Sequence, residues 1–540
     1  TQRLLRLPLK QRTLLGHAAQ QGSVFTGRTL ALTLKWSAEQ VFSSLREILS
    51  STRFLEIKKK KFCFSHTMIS ELCFKLLSDA ERREVHKAIG TALVALHAPP
   101  SRIAYHLYEA HEFVDALPYQ IAAAKQAGQG FAFGLAHQMI KNAHDVYTNH
   151  DVNVTDEVEV ELLLTRARYS ARVEADWDFT LELYRQVVAK GDPSTTVEAM
   201  RSTVEIEIKK IIFKASKTAA PDTTNLEEYI STAMNMCSEI GDDASKYRCM
   251  SVLGRIYSDI RKDYVAAEDI FLEALGGATD AGDMKNIGGT LNDLAAIHDW
   301  QGNREKSWDY LIQSLEALRK MNHKEGVCIL LRNMGWQCHF TERFSQADNY
   351  FSEALDIAVD IGLPLQIMHL YFSMINNKIE SGDIQGALTI FNRAREESAK
   401  EITPVMTWTS ILFEAKLLIK NKQYEQALEV LTKLQANPER DNDQVDQGSI
   451  DFELGEIALA QGEPMRAEKW FLSSYESEFF DDFTIIVVHM KLGQVYRILG
   501  KYEEALKYYQ KALIAYKNLG LEVKVKRVEQ LITDISANHS

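Results

Sequence analysis

The stretch LGQVYRILGKYEEALKYYQKALIAYKNLG, residues 492–520, decides the fold. In its second half Ala505, Tyr509 and Ala512 stand four and seven residues apart, which a helix of 3.6 residues per turn places on one face. In its first half Gly493 precedes Ala505 by twelve residues, with ILGKYEEA (498–505) as the turn between two helical segments. A small residue at each position lets two antiparallel helices approach closely, and the large residue four places on fills the gap to the next pair. The stretch is one helix–turn–helix unit that cannot bury its apolar face alone.

Working backwards from Ala505, the same pattern returns. It reads Ala467-Phe471-Ser474, Ala427-Leu431-Leu434, Ala387-Phe391-Ala394, Ala347-Phe351-Ala354, Ser307-Leu311-Ser314 and Ala267-Phe271-Ala274. The spacing of first positions is 38 and then 40 five times over. Twelve residues before most of them sits a small residue: Ala295, Gly335, Ala415, Gly455 and Gly493. The turns WQGNREKS (300–307), KNKQYEQA (420–427) and AQGEPMRA (460–467) fall where the period requires. Weaker units at Glu227-Ile230-Ala233, Thr180-Tyr184-Val187 and Ala136-Ile140-Ala143 extend the array irregularly towards residue 100. Fixed periods of this length are the signature of stacked helical repeats. The reading is an all-α solenoid of eight to ten helical pairs.

The unit 492–520 resembles a tetratricopeptide repeat, with Gly493, Tyr496, Ala505, Tyr509 and Ala512 at that family's packing positions. The 40-residue period is similar to the long-helix variety found in bacterial sensors and peptide-binding adaptors. The final segment LEVKVKRVEQLITDI (521–535) has apolar residues at 528, 531, 532 and 535 and a basic polar face. It suits the capping helix that shields the end of a solenoid.

Composition agrees. Gly (27) and Pro (10) make up about 7% of 540 residues, against a usual share of roughly 12%. Few breakers over a long chain imply helix after helix. The net charge of −12 argues against a nucleic-acid partner, which calls for a basic surplus. No run approaches the ~18 apolar residues of a membrane span, so no membrane partner is expected. Six scattered cysteines suit a reducing, cytoplasmic setting and read as small buried hydrophobes.

Residues 1–98 do not follow the period. Leu4, Leu7, Leu14, Leu15 and Ala18 suit a helix and Thr29–Trp36 a second. Ser37-Ala38-Glu39-Gln40 reads as a helix start, followed by Val41, Phe42, Leu45, Ile48 and Leu49 at helical spacing. FLEI (54–57) and FCF (62–64) flank Lys58–Lys61 as a hairpin with a basic tip, and helices follow over about 66–77 and 79–97. Three helices and a two-stranded wing is a winged-helix order. The helix from Glu39 to Leu49 carries Glu39 and Glu47 against Arg46 alone, so it is not built to read base edges.

The run FSHTMISELCFKLLSDAERREVHKAIGTAL (64–93) resembles the segment that follows the ATPase module in signal-transduction ATPases of the STAND class. Phe64, His66, Ile69, Leu77, Arg82, Arg83 and His86 match that pattern, while Thr67 stands where an aspartate is usual. The resemblance covers about residues 5–145 and implies a regulatory region like those of large transcription regulators and soluble adenylyl cyclases. It implies an ATPase module elsewhere in the same parent chain as a partner, and for His66 a contact to that module's nucleotide. The chain opens on Thr1 inside an apolar helical pattern, which is expected of the C-terminal portion of a longer protein.

No catalytic constellation is present: G-x4-GK-[ST], HExxH and CxxC are all absent. No cofactor, no metal site and no enzymatic role are expected of this chain by itself. The expected divisions are a winged helix over 1–98, irregular hairpins over 99–240, regular repeats over 241–520 and a cap over 521–540. In a solenoid the first helix of each pair lines the concave face. Positions three before, one after and four after the small residue then point inward. They are Arg255, Asn292, Arg332, Trp336, His339, Asn376, Lys416, Glu456 and Arg497. Arg and Trp are common interface anchors, and Asn can bond an extended backbone, so the expected partners are proteins or peptides in the groove. The runner-up reading is a stand-alone scaffold that bridges proteins in an assembly.

Overall fold

The computed structural model describes residues 2–58, 61–130, 132–150, 152–173, 176–214, 222–398, 404–436, 447–476 and 482–537. They form two compact units, Thr1–Tyr169 and Ser170–Ser540.

The first unit opens with the short helix Gln2–Leu5 and the helix Leu9–Gln20, the latter entered from Pro8, whose fixed φ suits a helix start. The strand Val24–Phe25 and the helices Gly27–Leu34 and Ala38–Ser51 follow, then the strands Leu55–Lys58 and Lys61–Phe64. The start at Ser37 is a capping box: Gln40 N donates to Ser37 Oγ, and Ser37 N donates to Gln40 Oε1. Val41, Leu45 and Ile48 of that helix are fully buried with Leu14, Leu30 and Phe25. The sheet is antiparallel with Lys61–Phe64 in the middle, pairing Phe25↔Phe62 on one side and Ile57↔Phe62 on the other. Its outer strand Val24–Phe25 went unread in the sequence, because two residues carry no alternation. Lys59 and Lys60, the tip of the basic hairpin, lie outside the described residues. The helices Thr67–Phe74 and Asp79–Ala95 come next, and four more helices from Pro100 complete the unit.

The second unit is built from the repeats. The expected small-to-large contact is present. A Cβ built on Gly335 would lie 2.5 Å from the Phe351 ring, on Gly455 2.7 Å from Phe471, and on Gly493 2.7 Å from Tyr509. Each pair is sixteen residues apart, and every ring is buried. Where the small residue is alanine, at 295 and 415, the residue sixteen on is the smaller Leu311 or Leu431. Side-chain volume is thus matched across these five pairs, as close packing demands, while Ile375 with Phe391 sixteen residues on departs from the rule. At Gly254 the partner Phe271 lies seventeen residues on, at 2.6 Å. A π turn, Ile256–Arg261, absorbs the extra residue. The cap is the helix Glu522–Ala537, which buries Val528 and Ile535.

Contacts within this unit also join repeats far apart in sequence. Arg172 Nε donates to Glu325 Oε1 at 3.1 Å, linking the first helix of one pair to that of the fourth pair beyond. Phe340 packs on Phe483 with ring centroids 4.7 Å apart, again four pairs on.

Candidate partner-binding face

The first helices of successive pairs are laced together by polar side chains. Asn333 Nδ2 donates to Asn292 Oδ1 at 2.9 Å, Arg332 to Gln366 Oε1 at 2.7 Å, and Lys416 Nζ to Asn376 Oδ1 at 2.7 Å. Arg248 pairs with Asp283, and Ser251 with Asn286 and Thr290, one step earlier. The physical cause is the period. Residues 34 to 41 apart stand at matching heights on neighbouring first helices, so a polar ladder runs along the face.

Two charged groups sit on this ladder. Glu456 lies between Lys420, at 3.0 Å, and Lys491, at 2.6 Å. Burial opposes ionisation of its carboxyl, but the two ammonium groups outweigh it and hold the group below the usual carboxylate range. Its neighbour Glu453 goes the other way: burial raises its carboxyl to about 7, and the charge on Glu456 adds to the rise. The second group centres on Arg255, which pairs with Asp259 at 3.5 Å. Asp293 beside it is also raised to about 7, chiefly by burial, with Asp259 and Glu205 contributing.

The structure brings Asn292, Arg332, Asn376, Lys416 and Glu456 into the ladder and Arg255 into the acidic group. Trp336 is half-buried, stacking on Phe340 at 5.5 Å and meeting Phe351 edge-on. His339 is buried, with its Nδ1 3.0 Å from Asn377 Oδ1. These two are packing groups first. Arg497 is exposed and stands apart from the ladder. His66, in the first unit, caps the helix Thr67–Phe74 with its imidazole exposed and no side-chain capping bond. Sequence reasoning missed Asn333, Gln366, Lys420, Glu453 and Lys491. The available signal was complementary polar pairs 34 to 41 residues apart, which a count of single inward positions passes over.

Residues 487–519 match the tetratricopeptide repeat family. That segment is a tetratricopeptide repeat. Among solved structures the chain is similar to a STAND protein with a tetratricopeptide repeat sensor from Pyrococcus horikoshii, at 13% identity and a TM-score of 0.40. The match covers 88% of this chain and 65% of that one, so the chain spans less than two thirds of that protein. It is similar to a Rap protein in complex with Competence and Sporulation Factor at 16% identity, covering 82% and 98% with a TM-score of 0.37. It is also similar to the human IFIT1 dimer with m7Gppp-AAAA at 13% identity, covering 86% and 92% with a TM-score of 0.42. No curated protein matches the sequence.

The second unit is a tetratricopeptide-like solenoid. Among the described residues no helix is long and apolar enough to cross a membrane, and no group of three His, Cys, Asp or Glu side chains could hold a metal ion.

Proposed function

We propose that this chain is the non-catalytic sensing region of a larger STAND-type signalling ATPase, binding a protein or peptide along the inner face of residues 241–520. The observation that carries the reading is the ladder of amide and charged side chains along the first helices. A polar, laterally ordered face of this kind offers paired donors and acceptors to an extended backbone.

Residues 1–98 act as a winged helix that docks on the ATPase module, which lies outside this chain. What supports this is the order helix, strand, helix, helix, strand, strand and the three-stranded antiparallel sheet. The exposed imidazole of His66 stands free to reach a nucleotide held by that module. Residues 99–240 form the irregular helical-hairpin repeats and 521–540 the capping helix and tail. A stand-alone scaffold that bridges proteins in an assembly is the second reading.

The test is capture of a partner by wild type and by the double variant Asn376→Ala/Lys416→Ala, with Glu504→Ala as an outer-face control. Selective loss in the double variant supports the inner face, and equal retention by all three removes it. Reading the coding sequence upstream of Thr1 for a Walker A motif decides between ATPase sensor, if one is found, and scaffold, if none is.

A further inference from the structure

A stack of repeats places each one against its neighbours, yet two distant turns of this solenoid meet backbone to backbone. Gly302 and Gly520 both hold left-handed conformations, with φ of 77° and 61°. A Cβ on Gly520 would lie 2.5 Å from the Gly302 carbonyl oxygen, and one on Gly302 would lie 2.7 Å from that of Asn518. Arg304 follows Gly302 and donates to the Leu519 carbonyl at 2.9 Å and to Asp299 at 2.7 Å. One repeat further on, Phe340 packs on Phe483 and Glu342 pairs with Arg527 at 3.1 Å. Phe340 also borders a cleft of about 200 Å³ shared with Asn292, Trp300, Asn333 and Trp336.

Among the described residues the joint includes two glycine turns, a guanidinium on a carbonyl, a ring pair, and an ion pair whose side chains are 22% and 59% accessible. Exposed ion pairs hold little, and the buried clusters on the two sides, over residues 295–394 and 458–535, are distinct apart from Phe340, which packs on the second, so the joint can open with each cluster kept.

We propose that the end of the helix Lys324–Phe340, with the turn after it, is a binding surface that the chain's own last repeats occupy, and that a partner segment bearing an aromatic side chain beside a cation displaces them. The partner's chemistry is read from the present occupant, which sets the Phe483 ring on Phe340 and the Arg527 guanidinium on Glu342. This rests on the inner-face reading above and adds that the chain competes with its own ligand there.

Gly520→Ala forces the two turns apart. Gly500→Ala is the matched control, because Gly500 has φ of 74° but nothing within 4 Å of its added Cβ. Both are made in the full chain and compared with wild type by X-ray scattering. Each is then titrated with fluorescein-labelled peptides of alternating Phe and Arg, or alternating Phe and Glu.

Expansion of Gly520→Ala alone is expected, with tighter binding of the Phe–Arg peptide and no gain for Phe–Glu. If about nine-tenths of wild-type molecules are closed, full opening tightens apparent affinity about tenfold. Equal radii for the two glycine variants, or no peptide preference in the expanded one, overturn the proposal. Should Gly520→Ala fail to fold, the exposed Arg527→Glu carries the same comparison. Loss of partner in Asn376→Ala/Lys416→Ala with no effect of Gly520→Ala sinks this proposal and spares the inner face. The reverse pattern sinks the inner face and with it the claim that the chain competes with its own ligand there.

Discussion

His106 Nδ1 lies 3.0 Å from His86 Nδ1, and His86 Nε2 lies 3.1 Å from Gln20 Oε1. All three side chains are buried. The amide oxygen can only accept, so His86 carries its proton on Nε2 and its Nδ1 accepts from His106 Nδ1–H. Both rings are held neutral. Burial first, and then Arg82, lowers His86 to about 4, while burial, His86 and Arg102 lower His106 to about 3.

Stability of the first unit is therefore expected to fall in acid. The folded values lie below the unfolded value of 6.5, so the contribution is intact above pH 6.5 and is lost as pH drops towards 4. For His86 alone the full loss is about 3 kcal/mol. Hydrogen-exchange protection of the helix Asp79–Ala95 across this range measures it. His106→Phe should flatten the profile, and an unchanged slope would refute the assignment.

The solenoid should respond in the opposite sense. Asp293 and Glu453 both titrate near 7 in the folded chain, well above their ordinary 3.8 and 4.5. A raised carboxyl keeps its contribution below the unfolded value and loses it as pH climbs through the folded one. Exchange protection in the helix Gln447–Ala460 should weaken between about pH 4.5 and 7. Glu453→Gln should remove most of that trend.

Helix-pair packing predicts a compensating double substitution. Gly335→Ala drives a Cβ into the Phe351 ring and should cost about 1–3 kcal/mol. Combined with Phe351→Leu it recreates the Ala–Leu pairing of Ala295 and Leu311 and should recover much of the loss. Urea melts of the two single variants and the double variant give the coupling, expected at about 0.5–3 kcal/mol for residues in contact. Additive losses would count against volume matching.

The N-terminal hairpin is expected to leave DNA alone. Were Lys58–Lys61 a wing on four phosphates, duplex affinity would fall with salt at a log–log slope near −3.6. Lys58 is already paired with Glu56. A duplex titration across a salt series should show no binding at physiological salt. Sequence-selective binding tighter than about a micromolar would make residues 1–98 a DNA reader.

The sequence by itself determined what depends on nearest neighbours. Helix existence, the turn glycines, the buried Ala–Phe–Ala faces and the Ser37 capping box all follow from spacing within a few turns, because helix pairing is local and repeats every 40 residues. Which inward residues are ligand-facing was only half legible. Trp336 and His339 occupy the same phase as Arg332, yet they pack against Phe340 and Asn377. Tertiary structure alone decided the Arg172–Glu325 bridge, the meeting of Gly302 with Gly520 and the His86–His106 pair. Those contacts depend on how small rotations between successive pairs accumulate over four or more repeats, or on which helices a non-repeating unit packs together. No local period encodes either.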